Sequence, residues 1–140
     1  MKSHVEFISN LFPPYEGEEE QINPGRYGRR VAEFVSNGLK SEGFNPEEPI
    51  PEDWGWVIPI ANIEFNLWIG CGNHEEYQNG FLCFIEPHKP EIRKFPFLRK
   101  INTASTVSRL REAMNDVLSN TPGIEDIKWY THDEFNNPSS

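Results

Sequence analysis

Residues 52–86, EDWGWVIPIANIEFNLWIGCGNHEEYQNGFLCFIE, hold three of the four tryptophans and both cysteines. Short apolar runs there are separated by Gly, Asn and Pro, which is the pattern of a three-stranded antiparallel meander. Trp54, Trp56, Ile58 and Ile60 alternate on one face of its first strand. Pro59 places that strand at an edge or at a bulge, because proline has no N–H for a ladder. Asn62 marks a turn, and Phe65, Leu67, Ile69 and Cys71 alternate along the second strand, with Trp68 on the opposite face. A second turn runs from Gly72 to Asn79-Gly80. In the third strand Phe81, Cys83 and Ile85 share one face and Leu82 and Phe84 the other. A strand apolar on both faces belongs in the middle of a sheet, covered on both sides.

The flanking segments extend this core. His4 to Ser9 reads as a short strand, followed by a loop from Asn10 to Ile22 with Pro13, Pro14 and Gly17. Asn23 is a suitable N-cap, with Pro24 at the first helical position. Tyr27, Val31, Phe34, Val35 and Leu39 then fall at helical spacing, and Gly43 offers a left-handed stop. Residues 45–53 are a Pro-rich acidic connection, and residues 87–101 read as irregular and basic. A second helix is expected from Ala104 to Ser119, with Val107, Leu110, Met114, Val117 and Leu118 as its buried stripe and Thr103 or Ser105 as its cap. Ile124 to Tyr130 is the last strand. The expected fold is α+β: one antiparallel sheet of about five strands, two helices mainly on one face, in the order β-α-β-β-β-α-β. A chain of 140 residues fits one domain, here residues 1–135, with 136–140 as a frayed tail.

Ten Phe, four Trp and four Tyr supply large buried area despite a mean hydropathy of −0.64. No apolar run is long enough to cross a bilayer and no N-terminal signal pattern is seen, so a cytoplasmic protein without membrane partners is expected. Two cysteines make no disulfide framework and read as buried thiols. A net charge of −9 disfavours general binding to nucleic-acid phosphates and favours a basic partner.

That charge is unevenly spread. Acids crowd residues 16–53, and Tyr15, Glu18, Glu19, Glu20, Glu47, Glu48, Glu52 and Asp53 form the expected partner-binding surface. Bases crowd residues 89–111, where Lys89, Arg93, Lys94, Arg99 and Lys100 are interleaved with Phe95 and Phe97, a composition suited to single-stranded nucleic acid. Such charge runs are also what any solvated loop shows. A third grouping, Trp54, Trp56, Cys71 and His74, would suit an enzyme or small-ligand site, with Cys71 as nucleophile and His74 as base. Against it, Cys71 continues the apolar alternation of its strand and no orienting third residue is evident. His74, Glu75 and Glu76 are adjacent on an extended chain and would diverge rather than converge on a metal, so neither metal nor cofactor is expected.

Asn23-Pro24-Gly25-Arg26-Tyr27-Gly28, Glu52-Asp53-Trp54-Gly55-Trp56, Leu67-Trp68-Ile69-Gly70-Cys71-Gly72-Asn73 and Gly80-Phe81-Leu82-Cys83-Phe84-Ile85-Glu86-Pro87 resemble segments of a group of small stand-alone bacterial proteins. The likeness runs from about Asn23 to Trp129 and carries over no functional residue. In size, acidity and lack of a catalytic motif the chain also resembles immunity proteins, which neutralise toxins by binding them. The expectation is a small acidic binding protein of the immunity or antitoxin type, with no catalytic residue, that covers the basic active site of a toxin such as a nuclease.

Overall fold

The computed structural model describes residues 1–74 and 79–137. The elements follow in the order β1 (Lys2–Ser9), α1 (Glu18–Gln21), α2 (Arg29–Ser41), β2 (Ile50–Glu52), β3 (Gly55–Ile60), β4 (Leu67–Asn73), β5 (Gly80–Glu86), β6 (Glu91–Lys94), β7 (Arg99–Asn102), α3 (Ala104–Ser119), β8 (Ile124–Thr131) and α4 (His132–Asn136). The fold is α+β, with a six-stranded antiparallel sheet in the order β2-β3-β4-β5-β1-β8 and a separate β6–β7 hairpin. The expected meander is β3-β4-β5, and β5 lies inside the sheet between β4 and β1.

Register explains the core. Trp56 lies opposite Cys71, Cys71 opposite Cys83, and Cys83 opposite Val5, so one row crosses four strands on one face. Ile58, Ile69 and Ile85 form the next row. Because side chains alternate, this face is apolar throughout, and α2 and α3 cover it. Val31, Val35 and Leu39 of α2 and Val107, Leu110, Met114 and Leu118 of α3 are almost fully buried. Phe7 stacks on Phe81 at 5.8 Å and both meet Phe12 edge-on. Each such ring contributes about 1.5–3 kcal/mol through burial. The two helices approach closely because Gly38 has no side chain; a Cβ there would lie 2.6 Å from Val117.

Several local expectations are corrected. Asn23 and Pro24 do not open the helix. They sit in a turn, where the Asn23 amide donates to the Asp53 carbonyl at 2.7 Å, and α2 begins six residues later at Arg29. The segment expected as a loop contains α1, and the segment expected to be irregular contains β6 and β7. Thr103 precedes α3 as foreseen, but its hydroxyl donates to the Lys89 carbonyl rather than capping the helix. Pro59 lies one strand in from the edge, where the regular β2 ladder has stopped at Ile50, opposite Val57; beyond it the Pro59 carbonyl accepts from the Glu47 N–H at 2.8 Å, a bond that needs no N–H from the proline. Trp54 and Trp56 do not share a face. Asp53 and Trp54 form the tight turn between β2 and β3, and that reversal breaks the alternation. Gly43 ends α2 as expected, at φ 92°, with the Phe44 N–H donating to the Leu39 carbonyl.

Candidate functional site: an acidic and aromatic cleft on the open sheet face

The sheet face away from α2 and α3 carries His4 and Glu6 from β1, Trp68 and Gly70 from β4, and Phe84 and Glu86 from β5. Trp54 folds over it from the β2–β3 turn. Its ring centroid lies 5.2 Å from that of Phe84 and 6.3 Å from that of Trp68, and Trp68 meets Phe84 edge-on at 5.6 Å. Gly70 makes this possible: a Cβ there would come within 2.8 Å of the Trp54 indole and closer still to the Phe84 ring. The aromatic row continues through His4, which stacks between Phe84 at 5.4 Å and Phe135 of α4 at 5.0 Å.

At the β2 end the row opens into a cleft of about 540 Å³. Trp54, Trp68, Val57 and Pro59 form its apolar part, the turn residues Asn62, Phe65 and Asn66 form one rim, and Glu47 and Glu52 are its acids. Glu47 and Glu52 are both exposed. The ion pairs among the described residues involve neither of them, nor Glu48 or Asp53. A small volume combining indole faces with carboxylates suits a cation with an apolar stem or ring, such as Arg, Lys or an aromatic flanked by basic residues.

The acids expected to form one surface divide by role. Glu19 and Glu20 on α1 and Glu47, Glu48, Glu52 and Asp53 are exposed, and the bond from Asn23 to Asp53 holds the chain beyond α1 beside the β2–β3 turn. Glu18 is different: it is buried, with 3 % exposure. One carboxylate oxygen accepts from the Gly28 N–H, the Arg29 N–H and the Trp56 indole N–H, each at 2.8 Å, and the other accepts from the Tyr15 N–H at 3.0 Å. Glu18 thus satisfies the open N-terminus of α2 and anchors Trp56, and it offers nothing to a partner. Tyr15, expected as an anchor, is already engaged. Arg30 lies over its ring at 3.9 Å and its hydroxyl donates to Glu33, which raises the phenol pKa.

The grouping of Trp54, Trp56, Cys71 and His74 is not assembled. Trp56 and Cys71 belong to the buried face, whereas Trp54 and His74 belong to the open one. Cys71 is wholly buried and its sulfur lies 3.4 Å from that of Cys83. The neighbouring thiol and burial raise its pKa well above the ordinary range, which suppresses the thiolate. A thiol reagent is therefore expected to leave both cysteines unmodified in the folded protein and to modify both in denaturant. Rapid labelling of the native chain would contradict this burial.

His74 has a different partner. Its Nε2 lies 3.2 Å from a Glu6 carboxylate oxygen, and the Tyr130 hydroxyl lies 3.5 Å from the other, at the edge of a hollow of about 290 Å³. Glu75 and Glu76 lie outside the described residues. Glu6 and Tyr130 were not foreseen, because their nearness to His74 is set by the pairing of β1 with β5 and β8. Among the described residues no group of three or more His, Cys, Asp or Glu side chains could hold a metal ion.

Lys89, Arg93, Lys94, Arg99 and Lys100 are all exposed, on or beside the β6–β7 hairpin. Glu91 pairs with Lys100 at 3.1 Å and lies 3.9 Å from Arg93. The Lys94 ammonium donates to the Glu64 carbonyl at 3.0 Å, which fixes the hairpin beside the β3–β4 turn and hence beside the rim of the acidic cleft.

The fold and its surface thus define a small α+β protein with an acidic aromatic cleft and a basic aromatic hairpin. No protein-family model, no curated protein and no solved structure matches this chain. No helix is long and apolar enough to cross a membrane among the described residues.

Proposed function

We propose that the chain is a protein-binding protein that takes a basic segment of its partner into the cleft lined by Glu47, Glu52, Trp54 and Trp68. The observation that carries this reading is the pairing, in one open volume of about 540 Å³, of two indoles with two exposed carboxylates outside the ion pairs described. Complementary charge speeds encounter, and a side chain desolvated between the indoles holds the complex. In its most specific form the partner is a toxin whose basic active site is covered, making the chain an immunity or antitoxin protein. Glu19, Glu20, Glu48 and Asp53 are exposed acids outside the cleft lining, and they act on the rate of encounter more than on the lifetime of the complex.

The test is capture from a lysate of the source cell, with the bound protein then purified and its affinity measured. Replacing Glu47 and Glu52 together by lysine is expected to weaken that affinity about 100-fold, because two attractive contacts become repulsive. The same reversal at Glu19 and Glu20 is expected to slow association with little change in dissociation. Undiminished affinity in the Glu47→Lys/Glu52→Lys protein would remove the cleft from the interface.

A further inference from the structure

We propose that the resting occupant of the acidic cleft is the β6–β7 hairpin of a second copy of this chain, in a closed two-fold dimer. The hairpin tip is Phe95-Pro96-Phe97-Leu98, and it is poorly suited to water: Phe97 is 89 % exposed, Phe95 80 % and Leu98 52 %. Ile63, at the neighbouring β3–β4 turn, is 98 % exposed. Four large apolar side chains on two turns joined by the Lys94–Glu64 bond make one apolar tip rather than scattered exposures. Lys94 and Arg99 flank that tip.

The tip is the chemical complement of the cleft. Phenyl rings flanked by cations meet indoles flanked by Glu47 and Glu52. A volume of about 540 Å³ has room for an aromatic side chain from the tip. The chain's own tip does not fill its own cleft, since both Phe95 and Phe97 face solvent.

Placement decides the symmetry. Had cleft and tip lain at opposite ends of the molecule, tip-into-cleft contact would propagate as a filament. They lie side by side, because the turn that receives the Lys94 ammonium also forms the cleft rim through Asn62, Phe65 and Asn66. Each copy can then donate its tip and receive its partner's in one self-complementary interface. This inference rests on the cleft reading above and names a second use for the same volume: a basic partner would have to displace the hairpin, so the dimer would be a stored form and the monomer the capturing form.

The experiment is light scattering during gel filtration of the full chain over a micromolar concentration range, with circular dichroism to check that each variant is folded. The wild type is expected to be a dimer. Phe95→Ser/Phe97→Ser, Glu47→Lys/Glu52→Lys and Lys94→Glu/Arg99→Glu are each expected to give monomers. Mixing the two charge-reversed proteins is expected to restore a mixed dimer, because both of its tip-to-cleft contacts become attractive again. A monomeric wild type would overturn the proposal. So would a dimer indifferent to these substitutions, or charge variants that fail to recombine. Binding of single-stranded oligothymidine or anionic vesicles by the hairpin of a monomeric wild type would overturn it in favour of those ligands. The Phe95→Ser/Phe97→Ser monomer keeps both the Lys94–Glu64 bond and the cleft residues, so its failure to capture a basic partner would count against the proposed function and leave the dimer standing.

Discussion

Replacing Glu18 by alanine is expected to destabilise the protein by about 4 kcal/mol, the largest effect of any single charged residue here. The carboxylate receives four N–H groups, from Tyr15, Gly28, Arg29 and Trp56, and lies 97 % out of solvent on the complement of its 3 % exposure. Alanine leaves those donors facing a void. Each buried unsatisfied donor costs about 1–3 kcal/mol, reduced where water can enter, as beside Tyr15 and Arg29. The loss would also free the first turn of α2 and the indole of Trp56, so the helix start and the β3 end of the sheet should loosen together. Glutamine is the informative second variant. It can keep a carbonyl oxygen toward Gly28, Arg29 and Trp56, but its amide would then confront the Tyr15 N–H. We expect it to cost about half as much as alanine. Urea unfolding followed by tryptophan fluorescence measures both. An alanine variant within about 1 kcal/mol of wild type would show that these bonds contribute little beyond what water supplies.

Glu18 also shows where sequence reasoning stops. It stands in the run Glu18-Glu19-Glu20, and nothing local separates it from its two exposed neighbours. Only the tertiary placement of α2 and Trp56 turns one acid of three inward. The same cause displaced the expected start of α2: its cap is the Glu18 carboxylate, eleven residues before Arg29, while Asn23-Pro24, a sound local signal, is used in a turn against Asp53. Elements whose stability is periodic and apolar were legible. Helix α3 spans the expected Ala104–Ser119, and the faces of β4 and β5 alternate as read. The β6–β7 hairpin was not legible, because its turn, Phe95-Pro96-Phe97-Leu98, has none of the Asn-Gly chemistry that marks a tight hairpin and its strands are mostly exposed. The acids of the cleft were visible as charge. Its indole wall was not, since alternation put Trp54 beside Trp56, and the turn at Asp53-Trp54 moved it across the sheet to Trp68.

Stability is expected to fall as the pH drops from about 6.5 toward 4, by at most about 3 kcal/mol, through His4. Burial lowers the His4 pKa from 6.5 to about 4, with repulsion from His132 and His88 adding to it. The ring is sandwiched between Phe84 and Phe135, His132 meets its edge at 5.6 Å, and its Nδ1 shares a hydrogen bond with the Ser3 hydroxyl at 2.9 Å. His88 stacks on His132 at 3.7 Å and holds the Glu86 carboxylate at 2.8 Å, so that carboxylate is directed to His88. The folded pKa lies below the unfolded one. Between the two values the unfolded chain therefore binds the extra proton, and stability rises with pH through that window and is fully present above it. Glu134 acts lower on the scale. Its carboxyl is held down to about 2 by Lys2 and by the Thr131 backbone and hydroxyl, so its contribution is lost only as the pH falls from 4.5 toward 2. Phenylalanine at position 4 can keep the stack and cannot take a proton, while His88, His132 and Glu134 remain in both proteins. Subtracting the urea stability of His4→Phe from that of wild type, pH by pH, should isolate a difference that changes steadily between 6.5 and 4 and levels off above. A difference that stays flat across that range would mean that His4 ionises alike in the folded and unfolded chains, and that α4 seals the open face less tightly than its contact with His4 indicates.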